Sequence, residues 1–167
     1  MLQPLTLELA EAAMIRSILV VCLGNRCRSP MAADLLRQAL PACSVASAGL
    51  APPVGAGADP RVIRLLAKEG LDLAPHRARE LDAGMVAGAD LVLVMDHEQR
   101  EWLEAQFPAA RGKTHRLCEA EQADIPDPYG CSQAMFVIVL GLIRQGVQSW
   151  AARIQSEAPA TRYGEAT

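Results

Sequence analysis

The stretch VCLGNRCRSP, residues 21–30, contains a cysteine and an arginine six positions apart, with Gly24 and Asn25 between them. An apolar run precedes the stretch and a helix-like pattern follows it, which predicts a loop leading into a helix. Glycine and asparagine most readily adopt the left-handed backbone of a tight loop. The N–H groups of such a loop, together with a helix N-terminus, bind anions. We therefore expect a phosphate-binding loop over residues 22–29.

Cys22 and Arg28 have the residue types that phosphoryl transfer would need at this loop. The helix dipole, the loop amides and the guanidinium would stabilise a Cys22 thiolate, and the Ser29 hydroxyl would add a hydrogen bond. A thiolate facing a bound phosphate can attack the phosphorus as a nucleophile. The arginine side chain can donate two parallel hydrogen bonds to the phosphate oxygens. The alternative is a buried strand-end cysteine beside a helix cap, but the complete Cys-x5-Arg-Ser string favours catalysis. The other expected phosphate-binding residues are Leu23, Gly24, Asn25, Arg26, Cys27 and Ser29.

A proton donor is expected in the acidic segment EAEQADIPDPYG, residues 119–130. General acid catalysis commonly contributes about 10²- to 10⁴-fold to such reactions. Asp127 is the preferred candidate because Pro126 and Pro128 restrict the backbone on both of its sides. Tyr129 follows it and would offer an aromatic wall for a substrate ring. The competing carboxylates of the segment are Glu119, Glu121 and Asp124.

Short apolar runs alternate with amphipathic patterns along the chain. Strands are predicted at 17–22, 43–47, 90–95 and 113–117, and helices at 29–40, 59–70, 81–87, 97–106 and 132–154. This alternation implies a parallel sheet covered on both faces, with ligands bound at the carboxyl ends of its strands. Ser29 is predicted to cap the first helix, and Asp59-Pro60 to start the second. The buried side of the fourth helix is predicted to include Trp102, Leu103 and Phe107.

The composition restricts the class of protein. With 167 residues, 51% hydrophobic and 21% charged, the chain is expected to form one globular domain. A net charge of −3 provides no basic face for nucleic acid. Five cysteines without a CxxC pair argue against a disulfide framework or a zinc site, and favour the cytoplasm. The longest apolar run, 134–143, is too short for a membrane span, and the first residues lack a basic start for secretion.

The string CLGNRCRS resembles the phosphate loop of the low-molecular-weight protein tyrosine phosphatases. The similarity extends from about residue 15 to about residue 154. SAGLAPPVGAGADP (47–60) looks like the second variable loop of that family, PHRAR (75–79) like its His-x-Ala-Arg element, and DPYG (127–130) like its acid loop. The valine-glycine form of the second loop is similar to bacterial members that act beside exopolysaccharide tyrosine kinases.

The resemblance implies a fold and a reaction. The fold would be α/β, a four-stranded parallel sheet with helices on both faces and the phosphate-binding loop after strand 1. The reaction would be hydrolysis of protein phosphotyrosine through a phosphocysteine at Cys22, with Arg28 as the phosphate clamp and Asp127 as the general acid. No metal and no cofactor are expected. The expected partner is a phosphotyrosine protein, such as a bacterial tyrosine kinase of polysaccharide export.

The resemblance also implies supporting residues. Tyr129 and Val54 would contact the substrate, while His76 would hydrogen-bond Asn25 and Ser47 would brace the loop. The chain departs from the family pattern in two ways. Arg26 stands where an aliphatic residue is common, and it would either attract acidic peptides or face water. The second loop lacks an aromatic residue and offers Leu50, Pro52, Pro53 and Val54 instead, which suggests a broader or partner-dependent choice of substrate.

Two other functions compete with phosphatase activity. Arsenate reductases of related fold use additional cysteines near the third strand, and residues 80–100 contain none. A non-catalytic phosphate-binding module would not need Cys22 and Asp127.

The domain is predicted over 14–156, with an N-terminal extension at 1–13 and a C-terminal tail at 157–167. Cys27 is either packing in the loop interior or a thiol close enough to Cys22 for a disulfide.

Overall fold

The computed structural model describes residues 15–157. The predicted extension, 1–13, and nearly all of the predicted tail, 157–167, lie outside the described residues. The strands are β1 (Ser17–Cys22), β2 (Ser44–Gly49), β3 (Leu91–Val94) and β4 (Thr114–Arg116). The helices are α1 (Arg28–Ala39), α2 (Pro60–Ala67), α3 (Ala83–Gly88), α4 (His97–Gln106) and α5 (Gln133–Glu157), with a 3₁₀ turn at Pro108–Ala110.

The four strands form one parallel sheet in the order β2-β1-β3-β4. β1 is central, and its last residue, Cys22, lies opposite Gly49, the last residue of β2. The carboxyl ends of both strands therefore meet at one edge, where the loop that follows β1 turns into α1. This arrangement confirms the predicted fold class.

The sheet is covered on both faces, and β1 shows why its sequence is apolar throughout. Ile18 and Val20 point toward the core built with α1, α2 and α5. Leu19 and Val21 point to the other face, toward the core built with α3 and α4. A strand buried on both faces requires a continuous apolar run, because successive side chains point in opposite directions.

Helix α5 is long and apolar enough, by length and composition, to cross a membrane. Its apolar side faces the core, and Phe136, Val139 and Ile143 are fully buried there. The helix is thus accounted for as the core helix of the domain.

Two local expectations are wrong. Ser29 does not cap α1, because the helix already begins at Arg28 and Cys27 precedes it without a side-chain cap; the Ser29 hydroxyl instead contacts Cys22. Trp102 is 44% exposed, because α4 buries Leu103 against the sheet and the adjacent position points about 100° away. The predicted start of α2 is confirmed, since the Asp59 carboxylate accepts from the backbone N–H of Arg61 at 2.9 Å.

Candidate active site

The loop between β1 and α1 wraps its backbone around the sulfur of Cys22. The Asn25 backbone N–H donates to Cys22 Sγ at 3.2 Å, and Ser29 Oγ lies 3.0 Å from the same sulfur. Asn25 has a φ of 52°, the left-handed conformation that turns the loop. Ser29 Oγ already accepts a hydrogen bond from the Asn25 amide at 2.8 Å, so the hydroxyl proton is available to the sulfur. The sulfur is therefore surrounded by donors that stabilise a thiolate.

Asn25 is the buried centre of the loop, and each of its polar groups has a partner. Its amide nitrogen donates to Ser29 Oγ and to Ser47 Oγ at 3.0 Å. Its side-chain oxygen accepts from the Arg79 backbone N–H at 3.0 Å, and its backbone oxygen lies 2.7 Å from His76 Nε2. A carbonyl can only accept, so His76 carries its proton on Nε2. Ser47 and His76 therefore contact the loop as expected.

Arg28 is buried at the N-terminus of α1 and joins the loop to the acid segment. Its Nη1 donates to the Ile125 carbonyl at 2.8 Å. Its Nη2 lies 3.7 Å from Asp127 Oδ2, and Nη1 lies 4.0 Å from Asp96 Oδ2. Burial between carboxylates and a carbonyl fixes the plane of the guanidinium at the loop, which is what bidentate phosphate binding requires.

Asp127 is held at the mouth of the same site. Its Oδ1 accepts from the Tyr129 backbone N–H at 3.0 Å, a turn that fixes the carboxylate. Its side chain remains 42% exposed, so a substrate can reach it. The competing carboxylates bond elsewhere: Asp124 accepts from the His97 backbone N–H and Arg116, Glu119 from Arg116, and Glu121 from Ser149.

A cavity of about 240 Å³ brings these residues together. Its wall is formed by residues 22–24 and 26–28, by Asp127 and Tyr129, and by Ala51 and Pro53 of the second loop. Val54 does not line this cavity; it is 70% exposed beside Pro53, and its contact with substrate stays a prediction. Tyr129 is also largely exposed, so its ring is available at the entrance.

Cys27 differs from Cys22 in its surroundings. Its side chain is buried at the start of α1, and burial, reinforced by the charges of Asp59 and Cys22, raises the pKa of its thiol to about 12. At neutral pH this thiol therefore stays protonated. All five cysteines are free in the part of the chain described here, and no three His, Cys, Asp or Glu side chains within residues 15–157 are grouped as metal ligands.

Sequence reasoning missed two residues that shape the loop. A Cβ on Gly49 would lie 2.9 Å from the Leu23 carbonyl oxygen and 3.1 Å from Asn25 Cβ, so only glycine lets β2 approach the loop this closely. Arg79 binds the Asn25 side chain through its backbone, and its Nε donates to the Ser47 carbonyl at 2.9 Å. A glycine at a strand end was visible in the sequence, but its close neighbours belong to another segment.

The comparisons with known proteins agree with this geometry. The family model described as low molecular weight phosphotyrosine protein phosphatase matches residues 17–160. The chain belongs to this family. It is 47% identical over 143 residues to the "Probable low molecular weight protein-tyrosine-phosphatase EpsP" of Ralstonia nicotianae, covering 86% of this chain and 99% of the relative. The relatives give no support to the arsenate reductase alternative, and the chain is a protein tyrosine phosphatase.

Solved structures of the family superpose well on this chain. The tyrosine phosphatase Wzb from Escherichia coli K30, in complex with sulphate, is 39% identical with a TM-score of 0.80, and the match covers 83% of this chain and 98% of that one. A more distant relative is the YwlE arginine phosphatase from Geobacillus stearothermophilus, at 32% identity and a TM-score of 0.80, with 85% and 94% of the two chains covered.

Proposed function

We propose that Cys22 is the nucleophile of this phosphatase and that the reaction passes through a phosphocysteine. The observation that carries the proposal is the pair of donors, Asn25 N and Ser29 Oγ, directed at a buried sulfur on the floor of the cavity. The thiolate attacks the phosphorus of the substrate, a sulfur–phosphorus bond forms, and the bond from phosphorus to the phenolic oxygen breaks.

Asp127 supplies the proton in this scheme. The leaving phenolic oxygen takes the proton of the Asp127 carboxyl as the bond to phosphorus breaks, because a phenolate is a poor leaving group. In the second step the same carboxylate accepts a proton from water, which attacks the phosphocysteine and releases inorganic phosphate and the Cys22 thiolate. Its position on the turn with Tyr129, at the open side of the cavity, suits both transfers.

Arg28 and the loop amides hold the transferred group. The three equatorial oxygens carry the charge of the transition state, so fixed donors around them lower the barrier without reorganisation. Arg28 is buried and bonded to Ile125 O, which leaves its remaining N–H groups in a fixed position for these oxygens. The backbone N–H groups of residues 23–28 complete the binding site.

The substrate we propose is phosphotyrosine in proteins. Tyr129 is exposed at the cavity entrance and would offer a ring face to a phenyl group, and Ala51 and Pro53 line the same cavity. We further propose that the partner is a bacterial tyrosine kinase of polysaccharide export and that the enzyme acts in the cytoplasm. This narrower proposal is supported by the form of the second loop and by the identity with EpsP.

Two variants test the nucleophile. Cys22→Ser is expected to lose turnover of an aryl phosphate by several orders of magnitude while still binding inorganic phosphate. Cys43→Ser is the matched control, because Cys43 precedes β2 at the amino ends of the strands, whereas Cys22 lies at the carboxyl ends. In the wild type, rapid denaturation at alkaline pH during turnover should leave one phosphoryl group on the peptide that contains Cys22, because a phosphocysteine is stable in alkali. Substantial turnover by Cys22→Ser would contradict the proposal.

The substrate class is tested separately. Matched peptides carrying phosphotyrosine, phosphoserine or phosphoarginine would be compared by kcat/KM, since a relative of the same fold is an arginine phosphatase. We expect phosphotyrosine to be preferred by orders of magnitude. Capture from lysate with Cys22→Ser should recover phosphotyrosine proteins, and recovery of phosphoserine proteins alone would refute the assignment.

A further inference from the structure

The side chain of Arg26 makes no hydrogen bond within the phosphate loop, and it lines the cavity that contains Cys22. Its Nε donates to the Gly57 carbonyl at 2.9 Å. Its two terminal nitrogens make no hydrogen bond or ion pair with any residue in 15–157. Arg26 therefore presents a fixed cation at the rim of the cavity with its outward N–H groups unused.

A second arginine lies close to the same glycine. Nη1 of Arg77 lies 3.6 Å from the position that a Cβ on Gly57 would take. Arg77 is exposed and is held by its own hydrogen bonds to the carbonyls of Ala74 and His76, at 3.1 and 2.8 Å. The two arginines, Arg26 and Arg77, are called the rim arginines below.

The backbone between the rim arginines is fixed. The Gly55 N–H donates to the Ala78 carbonyl and the Ala78 N–H donates to the Ala56 carbonyl, both at 2.8 Å. The Asp59 N–H donates to the Arg26 carbonyl at 2.9 Å. A guanidinium anchored to such a segment loses little conformational freedom when it binds an anion, because its position is already set.

The carboxylates on this side of the site are already engaged. Arg61 donates to both oxygens of Asp59, at 2.9 to 3.2 Å, and Asp127 Oδ2 faces Arg28. An adjoining groove of about 460 Å³ shares Arg28 and Asp127 with the cavity and is also lined by Asp96 and Glu98. The catalytic cavity thus has a basic rim at Gly57, whereas three carboxylates and one arginine line the adjoining groove.

We propose that the rim arginines form a second anion-binding subsite, which recognises a carboxylate or a phosphate on the substrate segment beside the phosphotyrosine. The inference rests on the proposed function and narrows its substrate class to acidic segments. The carboxylates of the adjoining groove repel an anionic flank, so the same contact favours one direction of the bound segment. The departure of Arg26 from the family pattern thereby becomes a specificity element.

The test compares phosphotyrosine peptides that differ in one flanking residue. Glu, its neutral isostere Gln, or phosphoserine is placed within two residues of the phosphotyrosine, on either side in turn. For the wild type we expect kcat/KM for the best Glu peptide to exceed that of its Gln match by about fivefold, as a partly exposed ion pair allows. The difference should appear in KM, because the contact forms in substrate and transition state alike.

Variants test whether the rim arginines cause the preference. The quantity compared is the ratio of kcat/KM for the Glu peptide to kcat/KM for the Gln peptide, measured on each protein separately. A change in the overall activity of a variant affects both values equally and leaves the ratio unchanged. Arg26→Leu should bring the ratio to about one, Arg26→Lys should keep part of it, and Arg77→Gln should reduce it. Lys68→Gln removes an exposed cation at the far end of α2 and should keep the full ratio. Raising the salt concentration should lower the wild-type ratio.

The outcomes separate the two proposals. A wild-type ratio of one on both sides, or a preference that survives in Arg26→Leu, would overturn the subsite while leaving the phosphatase chemistry intact. A preference for the phosphoserine peptide over both others would support the subsite and identify phosphate as its anion. The Glu-to-Gln ratio of kcat/KM judges the subsite even if the proposed nucleophile is wrong. Where Cys22→Ser is inactive, its binding of the same peptides, followed by fluorescence anisotropy, measures the preference without turnover.

Discussion

The guanidinium of Arg28 lies 3.7 Å from the carboxylate of Asp127, so the proposed phosphate clamp and the proposed acid are in contact without a bound substrate. The contact joins two segments that are distant in sequence, and Arg28 reinforces it through the Ile125 carbonyl, two residues before the acid. The position of the proposed proton donor therefore depends on the residue proposed to bind phosphate. In that scheme, a substrate that binds Arg28 also lies close to Asp127.

Replacing Asp127 with asparagine tests the acid by leaving-group dependence. The Asn side-chain oxygen can still accept from the Tyr129 N–H, so the turn is kept while the proton is lost. We expect kcat/KM, which reports the step in which the phenol leaves, to fall about 10²- to 10³-fold for phenyl phosphate, and much less for an aryl phosphate with an acidic phenol. Steady-state kinetics on a series of aryl phosphates whose phenols differ in pKa measure this dependence on the leaving group. An equal loss across the series would show that Asp127 is not the acid.

Gly49→Ala tests the close approach of β2 to the phosphate loop. The new Cβ would meet the backbone oxygen of Leu23 at 2.9 Å, so the loop must shift. A displacement on this scale is expected to lower kcat/KM about 10- to 100-fold and to weaken phosphate binding. Gly141→Ala is the control: it has open space on α5 and should keep activity while gaining about 0.5–1 kcal/mol of stability. Wild-type kinetics in Gly49→Ala would contradict the argument.

His76 makes stability depend on pH near neutrality. Burial lowers the pKa of His76 below its ordinary value of about 6.5. Between the folded and unfolded pKa values the unfolded chain binds more protons, so the free energy of unfolding falls as the pH drops below about 6.5. His76→Gln keeps a donor for the Asn25 carbonyl but cannot titrate. Urea unfolding at several pH values from 5 to 8 should show that the free energy of unfolding falls less steeply in acid for the variant than for the wild type. If the two curves ran parallel, His76 would not be the cause of the pH dependence.

The raised pKa of Cys27 predicts how peroxide inactivation will behave. Peroxide would convert Cys22 to a sulfenic acid, and attack by Cys27 would form a disulfide and release water. Because the thiolate is the attacking species and the pKa is about 12, capture should be slow at pH 6.5 and faster at pH 8.5. Dithiothreitol should therefore restore a larger fraction of activity in the wild type than in Cys27→Ser, and the difference should grow with pH. Equal recovery at every pH would leave Cys27 as packing alone.

Deleting residues 1–13 tests the predicted domain boundary. The family match begins at residue 17, so we expect the shortened chain to retain aryl phosphatase activity and its melting temperature. Circular dichroism melts and turnover measurements on both chains would check this. A loss of either property would place the extension within the functional domain.

Local patterns in the sequence predicted much of the fold because each depended on neighbours along the chain. The apolar run of β1, the cap at Asp59 and the loop around Cys22 are of this kind. Other features depended on partners that adjacent residues do not specify. The capping expectation at Ser29 failed because the helix begins one residue earlier and the hydroxyl bonds to Cys22 and Asn25 within the loop. Trp102 is predicted on the buried side of its helix, whereas the orientation of α4 turns it outward.

The network around Asn25 also limits when the enzyme can begin to work. Its partners Ser47, His76 and Arg79 follow it by 22, 51 and 54 residues, and Arg28 meets the Ile125 carbonyl 97 residues further along the chain. A ribosome adding roughly 5–20 residues per second needs about 5–20 s to cover that last interval. During this time a nascent chain carries Cys22 as an ordinary thiol, without a shaped anion site or a proton donor. Translation of nearly the whole domain must therefore precede the first turnover.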